Sequence, residues 1–329
     1  MKNRMLKLPR SCGVDASLAL PVLLGSAGNI GCVVGVVLMN KYMQLAHDFD
    51  HLVFLSFCHF AFTALGTRAM LCCRVFRYKA ARPAAVAPVA LGTLSSVGFM
   101  NLNLKHNSVS FYQLSKIACI PLTLFLSWVV EGAVQPPAVV LSLLPLVAGL
   151  GVAQVHDYEA NATGTAYAAV AVACTVLGQM YTSSCQRALG CDSNQLLYHT
   201  APLIALGALL LCPLFDGVDE LRSVDWNDDL KGHILASCVL ALGANVTNYY
   251  VLGRTSPLTY QVLTHLKTIL TIVGSMIFFG IRTNARNGVG IVVALAGVAS
   301  YTEVKRRAAV RSAERERRRL RDLPTEASP

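Results

Sequence analysis

Two lysines, Lys116 and Lys267, each stand inside a long apolar run, and they are the side chains of this sequence best placed to do chemistry. A charge at the centre of a membrane-spanning helix costs about 2.5–3.5 kcal/mol on insertion scales, so it persists where it has a use. Both lie about ten residues into their runs, too deep for easy snorkelling. Neither run holds an Asp or Glu that could neutralise them; Glu131, the nearest, is about four turns beyond Lys116. An anionic substrate supplies the missing counter-charge, which makes the pair candidate anion-binding groups. The plainer alternative is a lysine hydrogen-bonded to backbone carbonyls in a broken helix.

Helical spacing sets polar side chains beside both. Tyr260, Thr264, Lys267 and Thr271 recur at four, three and four residues and so share one helix face. Tyr112, Lys116 and Thr123 share another, with Gln113 beside them. Lipid penalises such stripes, so they are expected to face the interior of a bundle. Asn101 and Asn103, and further on Asn245, Thr247 and Asn248, add amides and a hydroxyl suited to sugar hydroxyls, ribose or a base edge. Taken singly, each is equally explained as interhelical hydrogen bonding. His59, His199 and His265 have no metal-ligand spacing and read as neutral imidazoles bonded to a neighbouring helix; no metal and no cofactor is expected.

The elements that must position these groups follow from composition. A chain of 329 residues that is 54% hydrophobic and 14% charged is too apolar for an ordinary soluble domain. Apolar stretches near the ~20 residues that cross a bilayer give ten candidate spans: 18–40, 52–72, 84–104, 108–130, 137–155, 163–186, 194–215, 232–252, 257–279 and 288–301. The predicted fold class is therefore an all-α integral membrane protein. The eleven cysteines, among them Cys32, Cys58, Cys119, Cys174, Cys212 and Cys238 within apolar runs, read as small buried residues; Cys72 and Cys73 mark a helix end open to palmitoylation.

The excess of 28 Lys+Arg over 18 Asp+Glu collects at the two ends and in one short loop. That distribution fits membrane orientation and speaks against nucleic acid as a partner. With the N-terminus cytosolic, Lys2, Arg4, Lys7, Arg10, Arg74, Arg77, Lys79, Arg82, Arg187, Arg254 and the C-terminal tail fall on one side. The other receives Lys41, Lys105, Arg222, Lys231, Arg282 and Arg286, with the acidic loops carrying Asp157, Glu159 and Asp216 to Asp229. Both termini are expected in the cytosol, and the first span is expected to be retained, not cleaved as a signal. Asn161-Ala-Thr163 is a glycosylation sequon set too near the next helix for its use to be expected. The basic tail after Tyr301 either binds acidic lipid head groups or, as the favoured reading, anchors the last helix.

Five spans per half would place a duplicated half in opposite orientation, the inverted-repeat architecture of many transporters. Ser108-Val-Ser-Phe-Tyr112-Gln113 opening the fourth span is echoed by Ser256-Pro-Leu-Thr-Tyr260-Gln261 opening the ninth, each with a lysine following. The expected organisation is a basic N-terminus (1–17), a first five-helix repeat (18–155), a second (163–301) and a basic tail (302–329).

The runs GFMNLNLKHNSVSFYQLSKIACIPLT and NVTNYYVLGRTSPLTYQVLTHLKTIL resemble the nucleotide-sugar transporters and triose-phosphate translocators of the drug/metabolite transporter superfamily, most of all the UDP-xylose, UDP-galactose and UDP-rhamnose carriers. Ser193-Asn-Gln-Leu-Leu-Tyr198, Pro213 to Gly217, and Asn40-Lys41 closing the first span are similar to the same subgroup. The resemblance implies a ten-helix fold, a central cavity, and exchange of a cytosolic UDP-sugar for lumenal UMP by alternating access. It also implies a Golgi membrane, with the endoplasmic reticulum as alternative, and it leaves a homodimer open. In the phosphate translocators a lysine matching Lys116 and a Lys-Arg pair grip the phosphate. Here the pair reads Lys267-Thr268, and threonine cannot form arginine's bidentate clamp. The Lys-Thr pair is instead typical of one nucleotide-sugar subgroup. Val97 stands where the phosphate translocators carry a histidine, and the short stretch before the first span argues against a plastid transit peptide. Rival readings are a carrier of another phosphorylated metabolite or of a GDP-sugar, though Leu263-Thr-His-Leu-Lys267 lacks the G-A-L-N-K signature of GDP-mannose carriers. A membrane-embedded transferase lacks its intramembrane acidic pair, and a regulatory protein that keeps the fold remains a third possibility.

Overall fold

The computed structural model describes residues 16–154, 161–280 and 284–321. Every regular element among them is an α-helix: α1 Ala16–His47, α2 Leu52–Cys72, α3 Pro83–His106, α4 Val109–Ile117, α5 Cys119–Glu131, α6 Pro137–Gln154, α7 Ala162–Leu189, α8 Ser193–Phe215, α9 Val218–Arg222, α10 Asp228–Arg254, α11 Pro257–Phe279 and α12 Ala285–Arg321. Ten spans are long and apolar enough to cross a membrane, with α4 and α5 supplying one of them between Phe111 and Glu131. The chain is a multi-pass membrane protein.

Sequence chemistry explains where the helices start and stop. Ser108, Asn161, Asn227 and Ser256 each accept a backbone N–H three residues on, while Asp192 and Gln195 form a reciprocal capping box. Gly132, Gly190 and Gly280 end α5, α7 and α11 in the left-handed conformation.

Three expected boundaries need correction. The fourth span is not one continuous helix but breaks at Ala118, because Pro121 has no N–H to offer the carbonyl of Ile117 and its ring crowds that oxygen. The first helix runs on to His47, so Asn40-Lys41 lies within α1 and does not close it. The last helix extends through the basic tail to Arg321. The N-terminal basic residues, Asp157, Glu159 and Arg282 lie outside the described residues.

Successive connections gather alternately at two ends. At one end, Lys79 Nζ donates to Gly190 O (2.8 Å) and Gln195 Nε2 to Arg77 O (2.8 Å), joining the α2–α3 and α7–α8 turns. At the other, Asp216 accepts from Val53 N (3.3 Å) and Phe54 N (2.5 Å), tying the end of α8 to the start of α2. The principal helix pairs are α6 with α12, α3 with α7, α1 with α10 and α2 with α8; α2 with α10 and α3 with α8 come next. The α6–α12 seam is close: a Cβ on Gly149 or Gly297 would overlap the backbone of Ala294 or Leu146 respectively.

The surface is apolar and the interior carries polar groups. Leu23, Leu24, Leu214, Ile277 and Phe278 are exposed, whereas Asn29, Thr63, Asn103, Thr123, Gln261 and Lys267 are buried. That inversion suits lipid as solvent, since a polar side chain is costly against acyl chains and cheap against another helix.

Candidate functional site

Lys267, only 5% exposed, projects from α11 toward α1 and α10. Its Nζ donates to Asn29 Oδ1 at 2.8 Å and to Asn248 Oδ1 at 3.5 Å, and it lies 4.9 Å from the centre of the Tyr260 ring. The amide of Asn29 donates in turn to Asn248 Oδ1 (2.7 Å), Thr247 Oγ1 (3.0 Å) and Ala244 O (3.2 Å). Tyr260 OH donates to Asn248 Oδ1 at 2.8 Å. Side-chain amides thus solvate the ammonium, in place of the backbone carbonyls of a broken helix, and α11 is unbroken from Pro257 to Phe279. Among the described residues every ion pair is between groups other than the two lysines.

Lys116 is set differently. It occupies the last turn of the nine-residue α4, just ahead of the break at Ala118, and is half-buried. Its ammonium sits 3.9 Å above the Tyr112 ring, a cation–π contact, and among the described residues it makes no hydrogen bond. Asn103 Nδ2 donates to Ser115 Oγ at 3.0 Å, and Asn103 Oδ1 accepts from Asn107 Nδ2 at 2.8 Å, fixing α3 against α4 beside it.

The α4–α5 span meets a face of α11 other than the one that carries Lys267. Leu258, Val262 and Ile269 share one stripe of α11 and pack with Ile117 and Ile120 of α4 and α5. His265 falls on that stripe, and its Nε2 is buried without a hydrogen bond among the described residues. Lys267, two residues on, points about 200° away around the helix.

Of the remaining expected site residues, Thr264 and Thr268 lie on α11 near Lys267 and donate to Tyr260 O (2.9 Å) and Thr264 O (3.2 Å). Gln261 turns instead to α7, where it meets Gln179 Oε1 at 2.8 Å. Asn245 reaches α2, donating to Thr63 Oγ1 at 3.0 Å. Asn101 and Gln113 are half-buried. Tyr198 packs in an aromatic group with Phe76, Tyr78 and His199 at the end where α8 starts. Lys41 donates to Gln44 Oε1 (3.0 Å) near the end of α1, and Asn40 Oδ1 is buried without a hydrogen bond. None of these last three joins either lysine. Of the three histidines, His59 meets Ser237 of a neighbouring helix at 3.0 Å and His199 meets Lys79 O at 2.8 Å; among the described residues no His/Cys/Asp/Glu group could hold a metal. Asn29 escaped sequence reasoning. The signal was a lone amide in the small-residue run Gly25-Ser-Ala-Gly-Asn29, without a periodic partner.

A cavity of about 130 Å³ opens between α1, α2 and α10, lined by His59, Ala244 and Asn245 among others. It is smaller than the roughly 300–1,000 Å³ of ordinary ligand pockets.

Known proteins match this chain over most of its length. UDP-xylose transporter 2 of Arabidopsis thaliana is 31% identical over 272 residues, covering 82% of this chain and 77% of that protein. UDP-rhamnose/UDP-galactose transporter 1 of the same plant is 30% identical over 281 residues, 84% of this chain and 81% of that one. One solved crystal structure superposes with a TM-score of 0.71 at 16% identity, covering 88% of this chain and 99% of that one, a likeness of fold. These relatives are transporters, not enzymes. The sequence profile of the Triose-phosphate Transporter family matches residues 32–302, and the chain belongs to that family of membrane transporters.

Proposed function

We propose that this protein is a nucleotide-sugar transporter that exchanges a cytosolic UDP-sugar of xylose, galactose or rhamnose type for lumenal UMP. The carrying observation is the buried ammonium of Lys267, held among the described residues by neutral groups and by no carboxylate, in a chain about 30% identical to UDP-xylose and UDP-rhamnose/UDP-galactose carriers. Lys267 is the principal phosphate ligand and Lys116, on the short α4, the second. Tyr260 and Asn248 contact the first lysine, with Thr264 and Thr268 beside it on α11; Tyr112 contacts the other, and Gln113, Asn101 and Asn103 are the further groups proposed for it. Antiport follows from electrostatics. A site closing around bare ammonium groups faces a desolvation cost of several kcal/mol per ion, so reorientation is fast when an anion is bound.

The helix pairing supports two inverted halves, 18–155 and 163–301. Exchanging the first five spans for the last five maps α3–α7 onto α10–α1 and α2–α10 onto α8–α3, and returns α2–α8 and α6–α12 to themselves. The charge asymmetry supports both termini in the cytosol, and the membrane proposed is that of the Golgi, with the endoplasmic reticulum as alternative.

The test is uptake of labelled substrate into UMP-loaded proteoliposomes. UDP-xylose, UDP-galactose and UDP-rhamnose are expected to exchange, at least one of them well above GDP-mannose and triose phosphate. Preference for triose phosphate would support the rival suggested by the family's name, and hydrolysis of the UDP-sugar in detergent would point to an enzyme.

A further inference from the structure

We propose that Asn29 is an internal stand-in for the substrate: in the empty carrier its side-chain oxygen occupies the ammonium of Lys267, and an incoming phosphate oxygen displaces it. The proposal rests on reading Lys267 as the phosphate ligand. Asn29 is fully buried at the middle of α1, on the opposite half of the chain from Lys267. An ammonium has only donors, so the atom 2.8 Å from Lys267 Nζ must be the amide oxygen. The amide nitrogen faces the other way, toward Asn248 Oδ1, Thr247 Oγ1 and Ala244 O, three acceptors that fix the orientation independently.

The chemistry of the residue matters as much as its place. An amide oxygen satisfies one N–H of the ammonium but carries no net charge, so it yields to a phosphate, whose charge-assisted bonds are stronger. A carboxylate of the same shape would not yield. Displacement also cuts the hydrogen bond joining α1 to α11, so anion binding and release of α1 from α11 become one event. Asn29 is thereby a positioning residue that ties occupancy of the site to movement of the helices around it.

Asn29→Asp would give Lys267 a permanent counter-charge. In UMP-loaded proteoliposomes the KM for external UDP-xylose is expected to rise about tenfold, while UMP efflux without external substrate increases relative to exchange, because the ammonium of the empty carrier is then neutralised by a carboxylate and not merely hydrogen-bonded to an amide. A purely structural role would lower the maximal rate and leave the ratio of efflux to exchange alone. On the purified proteins, the UMP-induced rise in Tm is expected to be larger than wild type in Asn29→Ala, where no competitor remains, and smaller in Asn29→Asp. If Asn29→Asp fails to insert, the Asn29→Ala comparison decides alone. The stand-in role is overturned by a wild-type KM and wild-type efflux ratio in Asn29→Asp, or by the reverse order of Tm rises. Lys267→Ala in parallel separates the two ideas: full exchange there removes the phosphate reading itself, whereas lost exchange beside unaffected Asn29 variants removes the stand-in alone.

Discussion

Lys267 and Lys116 are both intramembrane ammonium groups next to a tyrosine, yet their surroundings have little else in common. Lys267 stands on an unbroken 23-residue helix, with Asn29 and Asn248 supplied by two other helices. Lys116 stands at the end of a nine-residue helix, over one ring, with a break immediately after it. On the proposed reading the first site is built in advance, with α1, α10 and α11 each supplying a group at the ammonium before a phosphate arrives. The second sits beside the one-residue interruption at Ala118, which the proposed transport cycle would use as a pivot. A carrier needs both kinds of group: one to define the site and one to follow the substrate as access changes.

Removing the two ammonium groups gives the largest contrast. Lys267→Ala is expected to reduce UDP-sugar exchange at least 100-fold, because it leaves the amides of Asn29 and Asn248 with no cation to offer a phosphate. Lys116→Ala is expected to cost about tenfold, and Lys116→Arg less, since a guanidinium also stacks on the Tyr112 ring. Equal losses at 116 and 267 in the exchange assay would abolish the distinction between the two sites. Equal losses for Lys116→Ala and Lys116→Arg would show that geometry, and not charge, is what Lys116 contributes.

The break after Lys116 carries the next effect. Pro121→Ala restores an N–H to the carbonyl of Ile117 and allows α4 and α5 to join. The expected result is a more stable protein, with a Tm raised by a few degrees, and a maximal exchange rate lowered several-fold at unchanged KM. Unaltered exchange together with a raised Tm would mean that the pivot is not used.

The contrast was only half legible in the sequence. The bounds of α2 and α11 follow from hydropathy alone, since a polar or glycine-rich flank ends each apolar run, whereas Pro121 alone did not announce the break at Ala118, because Pro88, Pro145, Pro202 and Pro213 lie inside unbroken helices. The buried lysines announced themselves because charge in an apolar run is rare. Asn29 did not, because a single amide has no periodicity and its meaning comes from α10 and α11, over 200 residues away in the chain. Nor could the pairing of α3 with α7 or α6 with α12 be read. On a membrane helix the faces toward lipid and toward protein are both apolar, so the hydrophobic pattern that orients a soluble helix is weak. The same ambiguity leaves Gln261 and Asn245 readable either as ligands or as interhelical bonds, and in the structure each bonds a neighbouring helix.

The two tyrosines make the finest division. Tyr260 OH donates to Asn248 Oδ1, the oxygen that also faces Lys267, so Tyr260→Phe removes a buried hydrogen bond worth about 1 kcal/mol and leaves Asn248 freer to turn. That predicts a fall of about fivefold in exchange, expressed mainly as a higher KM. Tyr112 meets Lys116 through its ring face, which phenylalanine keeps, so Tyr112→Phe is expected to change exchange by less than about twofold. Tyr112→Leu, which removes the π face at similar volume, should then reproduce most of the loss seen in Lys116→Ala. If Tyr112→Phe costs as much as Tyr260→Phe, the Tyr112 hydroxyl touches the substrate directly, and the second site is as fully furnished as the first.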